Sequence, residues 1–437
     1  MAEGTRPSVM RSRGVPHLMV VVLFCFSGFA LLLPVSPQWA LDGGADEFGA
    51  GLVTAVLMTM TVASQLCVKA TLRRLGWART FALGALLLGL PAPLQALSDN
   101  LWPILATTAL RGAGFGIMTV CGATAVAALA PAGRQGAAIG LYGLSIALPQ
   151  MVLTPAAPAL VAAFALPAIL ACGILPVLAL PFTPALGRAL DAHTDAPAPE
   201  PGPAAPRKAT AATLRRILMP VVLLLLVTVA GGAILTFTPQ FAGSPGAAAG
   251  ALVTFTATAA VTRWSCGVLA DRFSARPLNF SLLLAACTGL CLVAWAVRSG
   301  PAVLPGLLGG LLLLGAAYGG LQSVTLVQAL NRAGVENRHT TSVAWNIGFD
   351  AGTGLGSLLL GLAAQVATFS FGFLLMAAAT AVAAVVTLRT GRGPAAPPSP
   401  PCAEGATEAP QDKKQDPEQD TKQDTKQDRK RGTFSDC

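Results

Sequence analysis

Long apolar runs recur along the whole chain and constrain its fold more than any other feature. About 20 consecutive apolar residues form a helix that crosses a bilayer, and the 437-residue sequence contains about twelve such runs. Charged residues make up 11% of the chain and its mean hydropathy is +0.64, whereas soluble domains are about 25% charged. The runs begin near residues 17, 48, 80, 102, 136, 164, 216, 247, 279, 303, 340 and 366. The sequence therefore predicts a polytopic membrane protein.

The composition of these runs favours helices over a transmembrane β-barrel. A strand of such a barrel alternates polar and apolar residues over about ten positions, whereas these runs are continuously apolar. The chain also contains 46 glycines, and small residues allow membrane helices to pack closely. We therefore predict an all-α fold with twelve transmembrane helices.

The loops between the runs alternate in charge. Asp42, Asp46 and Glu47 follow the first run, and Asp99 precedes the fourth. The intervening connections are basic and contain Arg13, Lys69, Arg73, Arg134, Arg332, Arg338 and Arg389. Because basic loops stay in the cytoplasm, we predict a multi-pass protein of the plasma membrane with both termini cytoplasmic. The net charge of +9 follows from this topology, so we expect no nucleic-acid partner.

A Pro- and Ala-rich stretch divides the chain into two sets of six runs. The predicted parts are a cytoplasmic N-terminal segment 1–16, a six-helix bundle 17–186, a linker 187–215, a second six-helix bundle 216–390 and a disordered cytoplasmic tail 391–437. The two halves share weak similarity, since RGAGFG at 111–116 aligns with LGAAYG at 314–319. Duplication of a six-span unit is typical of transporters, whose binding site lies at the repeat interface. We therefore predict two pseudo-symmetric bundles.

The stretch GVLADRFSAR occupies residues 267–276, in the loop after the eighth run. It resembles the Gly-x-Leu-Ala-Asp-Arg-x-Gly-Arg motif of the major facilitator superfamily of secondary transporters. The matching positions are Gly267, Leu269, Asp271, Arg272 and Arg276. The resemblance extends over roughly residues 17–390 and implies that this loop latches the cytoplasmic side. Asp271 would then complement the positive N-terminus of a neighbouring helix.

The corresponding loop of the first half is a degenerate copy of this motif. Lys69 takes the glycine position, Arg73 takes the aspartate position, and Gly76 is retained. An arginine cannot form the carboxylate contact that the motif provides. We therefore expect the protein to depend on the latch of the second half.

Arg111 lies about ten residues into the fourth run, at a depth where a charge is costly and commonly faces a cavity or a partner. The resemblance to the superfamily implies a role in proton coupling, because the family carries an arginine in this span. Two structural alternatives remain open: the side chain extends to the membrane surface, or it binds a helix end.

Asp350 lies well inside the eleventh run. A carboxylate within the membrane is suited to carrying protons, and the alternative is a structural ion pair with Arg263. Three amide residues are further candidates for the solute path: Asn346, Gln322 and Gln240. Pro149 and Pro155 are expected to bend the fifth helix, although the Gly-Pro-rich motif that family antiporters carry there is missing.

These residues together predict a transporter rather than an enzyme. The runs offer too few catalytic side chains at one depth, no phosphate-binding loop is present, and no metal or cofactor site is expected. The resemblance implies alternating access, and the favoured function is proton-coupled efflux of a drug or secondary metabolite, as in bacterial family members. The alternatives are proton-coupled import of a small organic acid and a non-transporting membrane sensor. Expected partners are membrane lipid, a small solute and protons, and the protein is expected to be a monomer.

Overall fold

The computed structural model describes residues 10, 12–131, 134–194, 207–270, 274–300 and 304–390. Every regular element in these residues is helical, as the sequence predicts. The helices are α1 (Val15–Asp42), α2 (Glu47–Gly89), α3 (Pro91–Gln95), α4 (Leu101–Leu129), α5 (Gln135–Phe164), α6 (Leu166–Cys172), α7 (Thr183–Thr194), α8 (Arg207–Phe241), α9 (Pro245–Ala270), α10 (Ala275–Ser299), α11 (Leu304–Ala333), α12 (Arg338–Val366) and α13 (Phe369–Thr390). Short 3₁₀ segments cover Leu175–Phe182 and Val335–Asn337.

Helix α2 contains two predicted spans joined at Gly76. This glycine has φ 74° and ψ 174°, a backbone conformation that residues with a Cβ rarely adopt. A straight helix of 43 residues would be about 65 Å long, roughly twice the hydrocarbon thickness of a bilayer. The described residues contain 11 helical segments long and apolar enough to cross a membrane, and counting the two arms of α2 separately yields the twelve predicted spans.

The sixth span differs from the continuous helix that the sequence suggested. It consists of α6, the 3₁₀ segment Leu175–Phe182 and α7. Pro176 and Pro181 lie within the 3₁₀ segment, and proline supplies no backbone N–H for an α-helical hydrogen bond. Helix α7 continues to Thr194 and α8 begins at Arg207, so both helices extend into the stretch 187–215 that is predicted as the linker. The predicted tail, 391–437, lies outside the described residues.

The internal repeat is visible in how α4 and α11 pack. A Cβ at Gly112 or Gly116 would collide with backbone carbonyls of α2, those of Leu57 and Thr61. In the second half, a Cβ at Gly315 or Gly319 would collide in the same way with the carbonyls of Phe255 and Ala259 on α9. The aligned glycines of RGAGFG and LGAAYG therefore allow equivalent close approaches of helix backbones.

The two ends of the helix assembly differ in charge. At one end, Gly14 packs against Leu129 and Ala189, and Gly187 packs against Ala78. We call this the basic end, because the predicted basic connections lie here. At the other end, Gly43 packs against the carbonyl of Asp99. Since the acidic residues of the loops after the first and third predicted spans lie here, we call it the acidic end.

Helices α2 and α12 run antiparallel along the boundary between the two halves, and α8 packs beside them. Hydrogen bonds connect the halves from the acidic end to the middle of the assembly. The cross-boundary pairs are Asp46–Gln365, Gly51–Ser357, Thr54–Thr236 and Gln65–Asp350. We call this interface the seam. Ser357 and Thr236 are fully buried, so the seam is closed toward the acidic end.

Candidate solute-binding cavity

A cavity of about 330 Å³ lies between the two halves. Four helices of each half contribute to its wall: α1, α2, α4 and α5 from the first, and α8, α9, α11 and α12 from the second. Its volume falls within the range of about 300–1,000 Å³ that is usual for small-molecule sites. The pairing of equivalent helices around one space agrees with a binding site at a repeat interface.

The first half contributes an uncharged wall with four aromatic side chains, of which three phenylalanine rings pack together. Phe29 on α1 stacks on Phe115 on α4, with ring centroids 3.9 Å apart and planes 7° apart. Phe26 meets Phe115 edge-on at 5.3 Å. Gln150 and Thr119 are among the polar residues on this side. This wall suits the apolar or aromatic part of an organic solute.

The second half contributes a more polar wall, which also contains aromatic rings. Tyr318 lies 5.1 Å from Phe255 and 6.2 Å from Phe349, and Trp345 stacks near Phe349 at 5.9 Å. The indole N–H of Trp345 donates to Thr325 at 3.2 Å. Because its one donor is used, the ring presents mainly an apolar surface to the cavity.

Asp350 is the acidic residue of the cavity wall. Its side chain is 5% exposed, and its Oδ2 accepts a hydrogen bond of 2.7 Å from Nε2 of Gln65. Gln65 lies on α2 and is itself buried, and its Nε2 is 3.4 Å from Oγ1 of Thr119. The carboxylate of the second half therefore binds a side chain of the first half.

Arg263 carries the positive charge of the cavity wall, from α9. Its side chain is exposed, and it forms no ion pair with Asp350 or with any other carboxylate in the described part of the chain. The predicted alternative of a structural Arg263–Asp350 ion pair is therefore not realised.

Two of the three predicted amide residues lie on the cavity wall. Gln322 is 3% exposed and lies beside Tyr318, whereas Asn346 is exposed and donates to the carbonyl of Ser342 at 2.9 Å. Gln240 does not line the cavity, and both polar atoms of its amide are buried without a partner among the described residues.

Arg111 lies outside the cavity wall, contrary to the expectation that it faces the solute path. It is one turn closer to the acidic end than Phe115, and it is 2% exposed. Its Nη1 donates to Ser36 at 3.0 Å, and Ser36 in turn donates to Gln95 at 2.9 Å. Arg111 and Phe115 are four residues apart and therefore lie on the same face of α4. They differ in depth: Phe115 lines the cavity, whereas Arg111 lies one turn nearer the acidic end and binds Ser36 of α1 there.

The predicted bend positions Pro149 and Pro155 lie within α5, which the structure shows as one helix. Proline in a helix interior removes the hydrogen bond to the residue four positions earlier. Polar residues next to these prolines contact α1 and the cavity. Thr154 donates to the Ala30 carbonyl of α1 at 2.9 Å, and Gln150 lines the cavity.

The latch motif lies partly outside the described residues, which omit Asp271 and Arg272. Gly267 and Leu269 end α9, and Arg276 in the first turn of α10 donates to the carbonyl of Leu388 at the end of α13. A cation at a helix C-terminus complements the helix dipole. This arginine therefore connects the motif to the last transmembrane helix.

In the degenerate copy, Lys69 and Arg73 are exposed on α2. Gly76 has the specific conformational role described above, since it allows the chain to turn from the second span into the third. The degenerate copy therefore retains Gly76, which its backbone conformation requires, and has Arg73 in place of the motif's aspartate.

Gln65 was missed by sequence reasoning. A single glutamine within an apolar run is usually an interhelical hydrogen-bond donor, and the motif analysis gave no reason to select it. Its partner is 285 positions away in the sequence, so the contact emerges only when α2 and α12 pack together.

The family model of the Major Facilitator Superfamily matches residues 18–244 and 233–417. The chain belongs to this superfamily. Its architecture of helices around a central cavity is therefore that of a membrane transporter, as the latch motif and the repeat had indicated. A comparison with curated proteins found no match.

Solved structures of superfamily transporters share the fold. The nucleoside transporter NupG is 12% identical, with a TM-score of 0.70 over 87% of this chain and 100% of its own. A bacterial homologue of the human lysosomal transporter Spinster, in an inward-facing and unoccupied conformation, is 15% identical. Its TM-score is 0.66 over 88% of this chain and 96% of its own. These likenesses establish the fold at levels of identity where substrates are not transferable.

Proposed function

We propose that this transporter exports an amphipathic organic solute, a drug or secondary metabolite, in exchange for protons. The observation that carries the proposal is Asp350, a buried carboxylate on the wall of a cavity to which both halves contribute aromatic rings. A membrane carboxylate in such a position is able to exchange a proton with a water-filled path. The aromatic wall of the first half supplies a surface for the apolar part of the solute.

Alternating access provides the transport cycle. The seam closes the cavity toward the acidic end, through pairs such as Ser357–Gly51 at 3.0 Å. Rocking the two bundles would separate these pairs and open the cavity to that end. Two of the four seam pairs join a carboxyl group to an amide, and the other two are formed by hydroxyl groups. None of the four is an ion pair, so separating them costs less than separating buried ion pairs.

Import of a small organic acid together with protons is the second candidate. Arg263 favours it, because its guanidinium lines the cavity and has no carboxylate partner among the described residues. An arginine is well suited to bind a carboxylate through two hydrogen bonds. Under this proposal Arg263 holds the acid and Asp350 carries the proton.

Proton movement in everted membrane vesicles distinguishes the two proposals. Vesicles that contain the full chain are energised to an acidic lumen, and a pH-sensitive dye reports the gradient while candidate solutes are added. Exchange for protons predicts that a lipophilic drug dissipates the gradient, and that vesicles with Asp350→Asn show no dissipation. Growth with and without the chain, in the presence of the same compounds, gives the direction of transport.

Two results would reject export by proton exchange. One is a panel of lipophilic drugs that never changes the gradient, and the other is an Asp350→Asn variant that transports and couples normally. Proton uptake together with an organic acid such as benzoate would support import instead. A chain that binds solute but moves neither solute nor protons would support a non-transporting sensor.

We further propose that the protein lies in the plasma membrane as a monomer, in contact with lipid, with both termini in the cytoplasm. The charge difference between the basic and acidic ends supports this orientation through the positive-inside rule. A reporter active only in the cytoplasm, fused to either terminus, tests it. Activity of a reporter fused instead at Gly44, in the loop at the acidic end, would overturn the orientation.

A further inference from the structure

Asp350 lines the cavity and also takes part in the hydrogen-bonded seam between the two halves. Among the described residues that form the cross-boundary hydrogen bonds of the seam, Asp350 is the one that lines the cavity. Ser357 and Thr236 are fully buried elsewhere on the seam. A solute in the cavity can therefore reach the seam through this carboxylate.

The Asp350 carboxylate has room for further donors. It accepts one hydrogen bond from a described side chain, the Gln65 amide at 2.7 Å, whereas an ionised carboxylate offers about four acceptor sites. A neutral amide is a weaker donor to a carboxylate than an ammonium group is, because both the donor and the acceptor are charged in an ammonium–carboxylate hydrogen bond. An ammonium headgroup would therefore compete well for this carboxylate.

The surroundings of Asp350 suit an organic ammonium ion. Phe349 precedes it in the chain, and Phe349 and Trp345 both line the cavity with their rings 5.9 Å apart. Aromatic faces attract organic cations. Arg263 is the other charged side chain on the wall, and it lies on α9, where it disfavours a second cation but accommodates an acceptor group of the same solute.

We infer that Asp350 has two alternative partners: the Gln65 amide when the seam is closed, and the N–H donors of an ammonium-bearing solute when the seam opens. This inference rests on the proposed transport function and names its substrate class. Exchange of the partner releases α12 from α2 at the innermost point of the seam. Gln65 is thus a positioning residue that links occupation of the cavity to opening at the acidic end.

Reactivity at position 357 reports whether the seam is open. Ser357 has no exposed surface in the closed seam, so a thiol introduced by Ser357→Cys is alkylated by a water-soluble maleimide only after opening. Mass spectrometry of the peptide containing this position separates its reaction from that of the native cysteines. All variants are compared in the full-length, detergent-solubilised chain that carries Ser357→Cys.

Two matched probes test the donor requirement: 2-naphthylmethylammonium, which has three N–H donors, and its trimethylammonium analogue, which has the same charge and none. Binding is followed by quenching of Trp345 fluorescence, with Trp345→Phe as the baseline. We expect the first probe to accelerate alkylation and the second to leave it unchanged. Failure of the first probe to bind, or equal acceleration by both, would overturn the inference.

Gln65→Leu tests the seam partner without any probe. It removes the donor to Asp350, and we expect alkylation to rise about tenfold, the equilibrium equivalent of one charge-assisted hydrogen bond. Thr59→Val is the matched control, because Thr59 lies on the same helix, is exposed, and donates to its own helix at Ala55. Equal rates in Gln65→Leu and Thr59→Val would overturn the inference. Gln65→Asn, which shortens the amide by one methylene, serves if the leucine variant does not fold.

The alkylation assay needs no transport, so its outcome is separable from that of the proposed function. Transport by the vesicle assay with unchanged alkylation rejects the partner exchange alone. Donor-dependent alkylation without proton movement rejects proton-coupled export and leaves the partner exchange standing.

Discussion

Arg263 and Asp350 line the same cavity from α9 and α12 without forming an ion pair with each other. Asp350 instead binds Gln65 of the first half at 2.7 Å, and the Arg263 side chain stays exposed. A buried ion pair would neutralise both groups and hold them in one geometry. The two charges of the cavity are therefore available for different tasks, which is why their substitution should have different consequences.

Arg263→Gln should lower affinity for anionic solutes with little change in stability. The guanidinium has no carboxylate partner in the described residues, so its removal breaks no ion pair. Loss of an arginine–carboxylate contact to a solute corresponds to about 1.5–3 kcal/mol, or roughly tenfold to a hundredfold in Kd. Titration with 2-naphthoate and thermal unfolding of the purified chain measure both effects. Arg263→Lys is the charge-retaining control, and unchanged naphthoate affinity in Arg263→Gln would contradict the prediction.

Arg111→Met should leave solute affinity unchanged within about twofold. The Arg111 guanidinium binds Ser36 and does not line the cavity, and the Arg111 Nε is buried without a partner among the described residues. Replacing a poorly paired buried charge by an apolar side chain of similar length is commonly neutral or stabilising. Binding of the naphthyl probes and the midpoint of thermal unfolding test this. A tenfold loss of affinity would place Arg111 in the solute path after all.

Gly112→Ala should destabilise the first half. Its new Cβ would collide with the carbonyl of Leu57 on α2, and overpacking of this kind costs about 1–3 kcal/mol. Gly140→Ala is the matched control within another helix, because no atom lies within 4 Å of a Cβ there. We expect lower yield and a lower unfolding midpoint for Gly112→Ala alone. Equal behaviour of the two variants would show that α4 and α2 are not packed as closely as the structure indicates.

Asp271→Asn should reduce transport more than Arg73→Asn does. The family motif gives Asp271 a carboxylate role in the latch, whereas Arg73 of the degenerate copy is exposed on α2. Asp271 lies outside the described residues, so this prediction depends on the motif alone. Initial rates of solute export in matched vesicles decide it. The reverse order of the two variants would refute the latch argument.

The sequence predicted the overall fold well because the partition of apolar segments into the bilayer dominates folding, and such segments can be recognised directly in the sequence. Runs such as that of α1 (Val15–Asp42) must be helical in a bilayer to satisfy their backbone hydrogen bonds. Deviations occurred where local chemistry competes with this rule. The second and third predicted spans form one helix that bends at Gly76. The sixth span is divided into shorter helices around a 3₁₀ segment that contains Pro176 and Pro181.

The candidate site was only partly predictable. Asp350, Gln322 and Asn346 were selected because polar residues in apolar runs are costly, and all three line the cavity. Arg111 met the same criterion and lies elsewhere, since burial cost does not specify which neighbour compensates for it. Gln65 gave no distinctive signal, because an uncharged amide in a helix is common.

By itself, the sequence determined that this chain crosses the membrane many times and that its two halves are related. It also determined that the loops at the two ends of the helix assembly differ in charge. These properties depend only on the types of residues and their spacing along the sequence. Hydropathy and charge patterns therefore reveal them directly. Only the tertiary structure decided which polar groups meet. The Asp350 carboxylate reaches Gln65 because antiparallel packing of α12 on α2 brings together two positions 285 residues apart, and no local pattern records that distance.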